Sequence, residues 1–201
     1  MTDTHIAIIT LDGFNELDSF IAFSILNRVN DPNWHVNITC PKPSVTSMNG
    51  VTVEAQQSIA YANKADIVLF GSGMKTLMHS KDRGLMDSFD LDPARQLIGA
   101  QCSGVWLLHC LGLLNAKAAS DATTTPMLSE QGIDVCDTAF YAAGNIATAG
   151  GCLSSHYLGA WAIAKRLGWG AANEVIDYVA PVGEKQQYCD RTFATLSPYL
   201  D

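Results

Sequence analysis

Cys102 is the residue of this sequence best placed for covalent chemistry, because of what surrounds it. It follows an apolar run from Gln96 to Ala100, continued by Gln101, that has the character of a buried strand. It precedes Ser103-Gly104 and an apolar helical stretch through Leu111, stopped by Gly112. A side chain on a tight strand-to-helix turn is pushed out at the carboxyl edge of the sheet, where open α/β sheets place their ligands. A helix starting at Ser103 would aim its unpaired N–H groups and positive dipole end at the sulfur, which predicts a lowered thiol pKa and a nucleophilic thiolate. The competing reading is a small buried hydrophobe, as most free cysteines are. Cys40, Cys110, Cys136, Cys152 and Cys189 lack the turn and read as structural.

Other groups can reach the same edge. Gly71-Ser72-Gly73 follows a second buried run, Asp66 to Phe70. Glycine lets backbone N–H groups approach a ligand, so this turn can supply an oxyanion donor opposite Cys102, or need glycine only for its φ angle. Asp18 falls in the first turn of a helix after the first strand. It reads equally as an acid/base partner for the thiol and as the N3 member of a capping box in Asn15-Glu16-Leu17-Asp18. Glu16 is the other acidic option and reads as solvated. Of the histidines, His5, His35, His79 and His109 have no placement close after the nucleophile turn. His156, reached through Gly150-Gly151-Cys152-Leu153-Ser154-Ser155, can approach from a helix start or serve as a wall residue.

The elements that must hold these residues alternate. Ile6 to Thr10 is an apolar strand, turned by Asp12-Gly13 into a helix with Leu17, Ile21, Ile25 and Val29 at spacings of four. A strand follows at Val36 to Cys40, then two short ones around Val45 and Val51 joined at Asn49-Gly50, a hairpin signal. Ala139 to Ala142 and Asn145 to Ala149 flank Gly144. Gly150-Gly151 then leads into a helix from Leu153 to Leu167, with Lys165 and Arg166 in its last turn. Ala171 to Val179 reads as the final helix, ended by Pro181. Strands alternating with helices predict an α/β domain with a parallel sheet covered on both faces.

Composition narrows the function classes. The 201 residues suit one domain, 1–201; 48% are hydrophobic and 16% charged, enough for a large core. A net charge of −8 with no Lys/Arg run disfavours a nucleic-acid partner. No apolar run approaches the ~20 residues of a membrane span, and Met1 to His5 has no basic stretch of a signal peptide, so the expectation is a cytoplasmic protein with no membrane partner. Six cysteines without CxxC pairing read as reduced thiols, with no metal site and no disulfide framework.

Taken together and in order, these residues resemble the ThiJ/PfpI family of the class I glutamine amidotransferase-like superfamily, over roughly Ile6 to Val179. Leu11-Asp12-Gly13-Phe14-Asn15-Glu16-Leu17-Asp18 is similar to the family's opening segment, whose last acidic residue partners the cysteine. Gly99-Ala100-Gln101-Cys102-Ser103-Gly104 resembles its nucleophile elbow. Leu111-Gly112-Leu113-Leu114 is similar to the helix end that follows, and Gly144 to Gly151 to the late Gly-Asn strand and glycine turn. The resemblance implies a flavodoxin-like three-layer sandwich with a mostly parallel central sheet, working as a homodimer on a small-molecule substrate without a cofactor.

The nearest branch resembles isonitrile hydratases, which share the Leu-Asp ending and the Cys-Ser/Thr-Gly elbow. By that resemblance Cys102 attacks an isocyanide carbon, Asp18 transfers protons, and an N-substituted formamide results. Gly71, Ser72 and Ser103 line the oxyanion region, and Gly151 and His156 the pocket. The sequence departs from the family in places. Ser19-Phe20-Ile21 follows the acidic residue, and Asp121-Ala122-Thr123-Thr124 stands where many relatives carry a histidine, which disfavours a Cys–His protease. Cys152-Leu153-Ser154-Ser155-His156-Tyr157 replaces the small residues and aspartate common after the glycine turn. Two other functions fit the same cysteine: a redox or stress-responsive thiol without turnover, and glyoxalase or deglycase chemistry on reactive carbonyls.

Overall fold

Near-continuous apolar runs in the short central strands decide the architecture, because both faces of such strands must be covered. The structure, a computed structural model, describes residues 3–200; Met1 and Thr2, part of the N-terminal reading above, and Asp201 lie outside the described residues. In chain order the elements are β1 (Thr4–Ile9), α1 (Glu16–Leu26), β2 (Trp34–Cys40), β3 (Ser44–Thr46), β4 (Thr52–Glu54), β5 (Gln57–Ser58), α2 (Ile59–Ala62), β6 (Ile67–Phe70), α3 (Thr76–His79) and α4 (Arg83–Met86). They continue with β7 (Leu97–Gln101), α5 (Gly104–Cys110), β8 (Lys117–Ala118), α6 (Thr125–Glu130), β9 (Asp134–Val135), β10 (Phe140–Ala143), β11 (Ile146–Ala149), α7 (Ser155–Leu167), α8 (Trp169–Val179) and α9 (Lys185–Leu196).

Seven strands form the central sheet in the order β10-β11-β7-β6-β1-β2-β5. Every pairing is parallel except the β10–β11 hairpin. One layer buries Ile6, Ile8, Ile67, Leu69 and Ala147 against Ile25 and Leu26 of α1, Leu158 and Trp161 of α7, and Ile176 of α8. The other buries Ala7, Ile9, Val68, Phe70 and Ile98 against Val105 and Leu108 of α5, with Ile59 and Leu128. This is the expected flavodoxin-like three-layer sandwich. None of the helices among the described residues is long and apolar enough to cross a membrane.

Register sets the site. Ile9 pairs with Phe70, Phe70 with Ala100, and Gln101 with Ala149, so β1, β6, β7 and β11 end at one edge. Four connections leave from that edge: the one into α1, residues 71–73, the elbow at Cys102, and Gly150-Gly151.

Three expectations are corrected. The buried face of α1 is Asp18, Ser19, Ala22, Ile25 and Leu26, one position round from the Leu17–Ile21 stripe, and Leu17 is 48% exposed. The hairpin is real but lies outside the main sheet, and its turn is longer than Asn49-Gly50, closing through Ser47 N–H to the Val51 carbonyl at 2.8 Å. The chain does not stop folding at Pro181. After a turn through Gly183, at φ +88°, it forms α9, which buries only Cys189, Thr192 and Leu196. That stripe contains a single strong hydrophobe, so its period is nearly silent in the sequence.

Candidate active site

The elbow at Cys102 is a strained turn. Cys102 has φ +48° and is the one non-glycine residue with positive φ among the described residues, a conformation that costs an L-residue roughly 1–2 kcal/mol. Its neighbours over-determine it. Its N–H donates to the Ala149 carbonyl at 2.8 Å, and its carbonyl accepts from Val105 N–H at 3.1 Å and Ser120 Oγ at 3.0 Å. Gly104 lies so close to the Gly71 carbonyl that any Cβ there would collide with it.

Asp18 meets this cysteine. The carboxyl is 2% exposed, and its Oδ2 accepts a hydrogen bond from the Ser72 hydroxyl. Its Oδ1 is buried with no hydrogen-bond partner. Donor atoms of Asp18, Cys102 and Cys152 all lie within 4.8 Å of one another. The capping reading of Asp18 is overturned, because Asn15 caps α1 alone, its side chain accepting from Leu17 N–H at 3.1 Å. Glu16 is not free in solvent either: Ser47 and Asn49 of the hairpin turn donate to its carboxylate and hold its pKa low.

The expectation of a lowered thiol pKa is also overturned. Cys102 is only 5% exposed, and burial first, then the Asp18 charge, push its pKa strongly up. Gln101 Nε2, 3.5 Å from Sγ, pulls weakly the other way. A helix dipole contributes about 0.3–1 kcal/mol, at most ~2, and α5 is only seven residues long. Burying a thiolate beside a carboxylate opposes ionisation by up to about 3–5 pKa units, each 1.36 kcal/mol. The resting sulfur is therefore a thiol, with the unpartnered Asp18 Oδ1 placed to take its proton.

The residues expected to form an oxyanion region build a clamp instead. Gly71 N–H is taken by the Ile9 carbonyl at 3.2 Å, so it has no free donor, and its lack of Cβ makes room for the Ser19 side chain. Ser72 spends its hydroxyl on Asp18 and its carbonyl on Asn15 N–H, at 2.8 Å. The Ser103 hydroxyl turns to Thr76 Oγ1 at 2.8 Å and receives Gly73 N–H at 3.3 Å. Together they bind the start of α1 to the elbow. His156 is a wall residue. Its Nδ1 donates to the Leu153 carbonyl at 2.6 Å, its ring packs on Tyr157, and burial lowers its pKa.

Gly151, at φ +81°, is where the chain turns into the single 3-10 turn Cys152–Ser154. Its carbonyl accepts from Gln101 Nε2 at 2.7 Å. Sequence reasoning missed three site residues. Gln101 is a fully buried amide, and such a group needs partners, which was the available signal. Cys152 was set aside as structural, yet it faces Cys102. Asn15 Nδ2 donates to Cys152 Sγ at 3.2 Å.

Two cavities open beside the cluster, and Cys102 lines neither. One of about 440 Å³ reaches Gly150, Gly151, Ser120 and Asp121. The other, about 780 Å³, is apolar and passes Leu17, Phe20, Leu153 and His156. Two thiols and a carboxylate have the composition to take a thiophilic cation, but three donors, two of them thiols whose pKa is raised, are a poor fit for a closed structural site.

The fold has counterparts among solved structures. A THiJ/PfpI family protein from Pseudomonas syringae superimposes with a TM-score of 0.77 at 17% identity, covering 98% of this chain and 89% of that one. Drosophila melanogaster DJ-1beta gives 0.77 at 20%, covering 89% and 98%. Schizosaccharomyces pombe DJ-1 gives 0.65 at 16%, covering 96% and 99%. At such identities the likeness is one of fold. No curated protein matches the sequence. The DJ-1/PfpI family pattern, however, matches residues 4–164, from β1 through the elbow and the glycine turn into α7, and the chain belongs to that family.

Proposed function

We propose that the protein is a cysteine-dependent enzyme that hydrates isocyanides to N-substituted formamides, with Cys102 as nucleophile and Asp18 as proton carrier. The observation that carries this reading is the unpartnered Oδ1 of a buried Asp18 beside a buried, protonated Cys102. As the sulfur adds to the terminal carbon, the thiol proton passes to Asp18 and from there to that carbon, giving an enzyme-bound thioimidate. Water adds to this intermediate, and collapse expels the Cys102 thiol and releases the formamide. The sum is isocyanide plus water to formamide.

The near closure of the site favours such a substrate over a bulky one. An isocyano carbon is the end of a two-atom linear group and can reach a thiol that is 5% exposed. The cluster of Asp18, Cys102 and Cys152 contains no histidine, which suits proton delivery to carbon better than expulsion of an amine from a peptide.

The test is formamide production from p-nitrophenyl isocyanide, followed by absorbance. Turnover by the wild type, abolished in Cys102→Ala with thermal unfolding unchanged, is the expected result. If the isocyanide is untouched and methylglyoxal is consumed instead, the carbonyl chemistry replaces this reading. Activity that survives in Cys102→Ala overturns both.

A further inference from the structure

The structure holds a second sulfur at the site that the hydration mechanism does not use. We propose that Cys102 and Cys152 form an intramolecular disulfide on exposure to a hydroperoxide, so that Cys152 reversibly caps the nucleophile and protects it from irreversible oxidation. The two Sγ atoms lie within 4.8 Å of each other in the reduced protein. A disulfide requires about 2.05 Å between sulfurs, so one side must close the difference.

The two cysteines divide that task. Cys102 is fixed by the elbow's hydrogen bonds at the end of β7. Cys152 is half-buried and sits in a one-turn 3-10 segment directly after Gly151, whose φ of +81° marks a flexible residue type at the hinge. Most bonds on that segment are local to it: Ser154 N–H to the Gly151 carbonyl at 2.7 Å, Ser155 N–H and Oγ to the Cys152 carbonyl, and His156 Nδ1 to the Leu153 carbonyl; from outside, Gln101 Nε2 holds the Gly151 carbonyl and only Asn15 Nδ2 reaches the Cys152 sulfur. Cys152 thus brings its sulfur to a stationary partner, and the half-exposed rim around it gives a small oxidant its path.

The chemistry balances. Cys102 sulfur attacks the distal oxygen of the hydroperoxide, forming an S–O bond and breaking O–O. The thiol proton ends on the departing oxygen, giving an alcohol (water, for hydrogen peroxide) and a sulfenic acid. Cys152 sulfur then attacks Cys102 sulfur, forming S–S and breaking S–O, and its proton leaves with the hydroxide as water. Two thiols lose one electron each and the peroxide gains two. A reducing thiol reverses the step by exchange.

The experiment does not depend on isocyanide turnover. The full-length protein, with chelator present, is treated with hydrogen peroxide in slight excess, blocked with N-ethylmaleimide, and read by intact and peptide mass without reduction. The expected product has lost two hydrogens, carries a cross-linked Cys102–Cys152 peptide pair, and returns to the starting mass with dithiothreitol. In Cys152→Ser, with peroxide raised beyond two equivalents and the wild type treated alongside, Cys102 instead goes to the sulfinic acid, a gain of two oxygens that dithiothreitol does not remove. Cys152→Ala serves as a second variant, and the wild-type cross-link decides the matter if neither variant folds. The proposal is overturned if wild-type Cys102 reaches sulfinic acid while Cys152 stays alkylatable, if Cys102 pairs with another cysteine, or if neither sulfur oxidises.

Discussion

Replacing Asp18 with asparagine should make Cys102 more reactive toward iodoacetamide at neutral pH. Asparagine is nearly isosteric with the aspartate and can still accept from the Ser72 hydroxyl, so the perturbation is chiefly the loss of a charge. With the donor atoms at the 4.8 Å limit, two unit charges at an effective dielectric of about 20 interact by about 3.5 kcal/mol, roughly 2.5 pKa units. Screening through the half-exposed rim at Cys152 lowers this, so a fall of about one to two units in the Cys102 pKa is expected. The sign follows from the raised value: Asp18 pushes the thiol up, and its removal moves the pH–labelling curve toward acid. A less basic thiolate is also a weaker nucleophile, with a Brønsted slope of about 0.4–0.5, so the net acceleration at neutral pH is about threefold to tenfold. The assay is iodoacetamide labelling across pH, quantified on the Cys102 peptide, with Cys40 as internal reference, since burial pushes that thiol up to about 11. Slower or unchanged labelling in Asp18→Asn would show that Asp18 is the proton donor to a resting thiolate, and would refute the assignment of the proton to sulfur.

Two substitutions test the elbow itself. Cys102→Gly should be more stable than Cys102→Ala by about 1 kcal/mol in urea unfolding, because only glycine relieves the positive φ, and equal stabilities would mean the turn is unstrained. Gly104→Ala should cost about 1–3 kcal/mol, because its Cβ meets the Gly71 carbonyl, and a neutral effect would show that the elbow and the 71–73 loop can separate.

The strands at the site edge were legible because their burial on both faces writes continuous apolar runs: Ile67–Phe70 and Leu97–Gln101 differ from expectation by a residue at most. Asp18 was also legible, more than the tie between cap and partner allowed. It stands in phase with Ala22, Ile25 and Leu26, so the helix face that buries those residues must bury the carboxyl too. The Leu17–Ile21 stripe pointed away from that conclusion because both residues line an apolar cavity and only Ile21 also packs against the core. The fate of the backbone donors was not legible. Whether Gly71 N–H faces a ligand or the Ile9 carbonyl depends on the register of β1 with β6, which no local pattern records.

The thiol's protonation shows why an elbow alone does not make a thiolate. A turn that exposes a cysteine and a turn that buries it have the same local sequence, and the distinction comes from what the neighbouring connections bring over it. Here the α1 connection brings Asp18 and the glycine turn brings Cys152, held by Asn15, so a carboxyl and a second thiol close on one sulfur. The carboxylate and the second thiol both oppose its ionisation, and burial opposes it more. A sulfur held protonated in this way is slow toward stray electrophiles and reacts where the electrophile is placed so that Asp18 can take the thiol proton. In the proposed oxidation both sulfurs lie beside Asp18; the Cys102 held by the elbow takes the oxygen, and the half-exposed Cys152, on its short turn, moves to resolve the product.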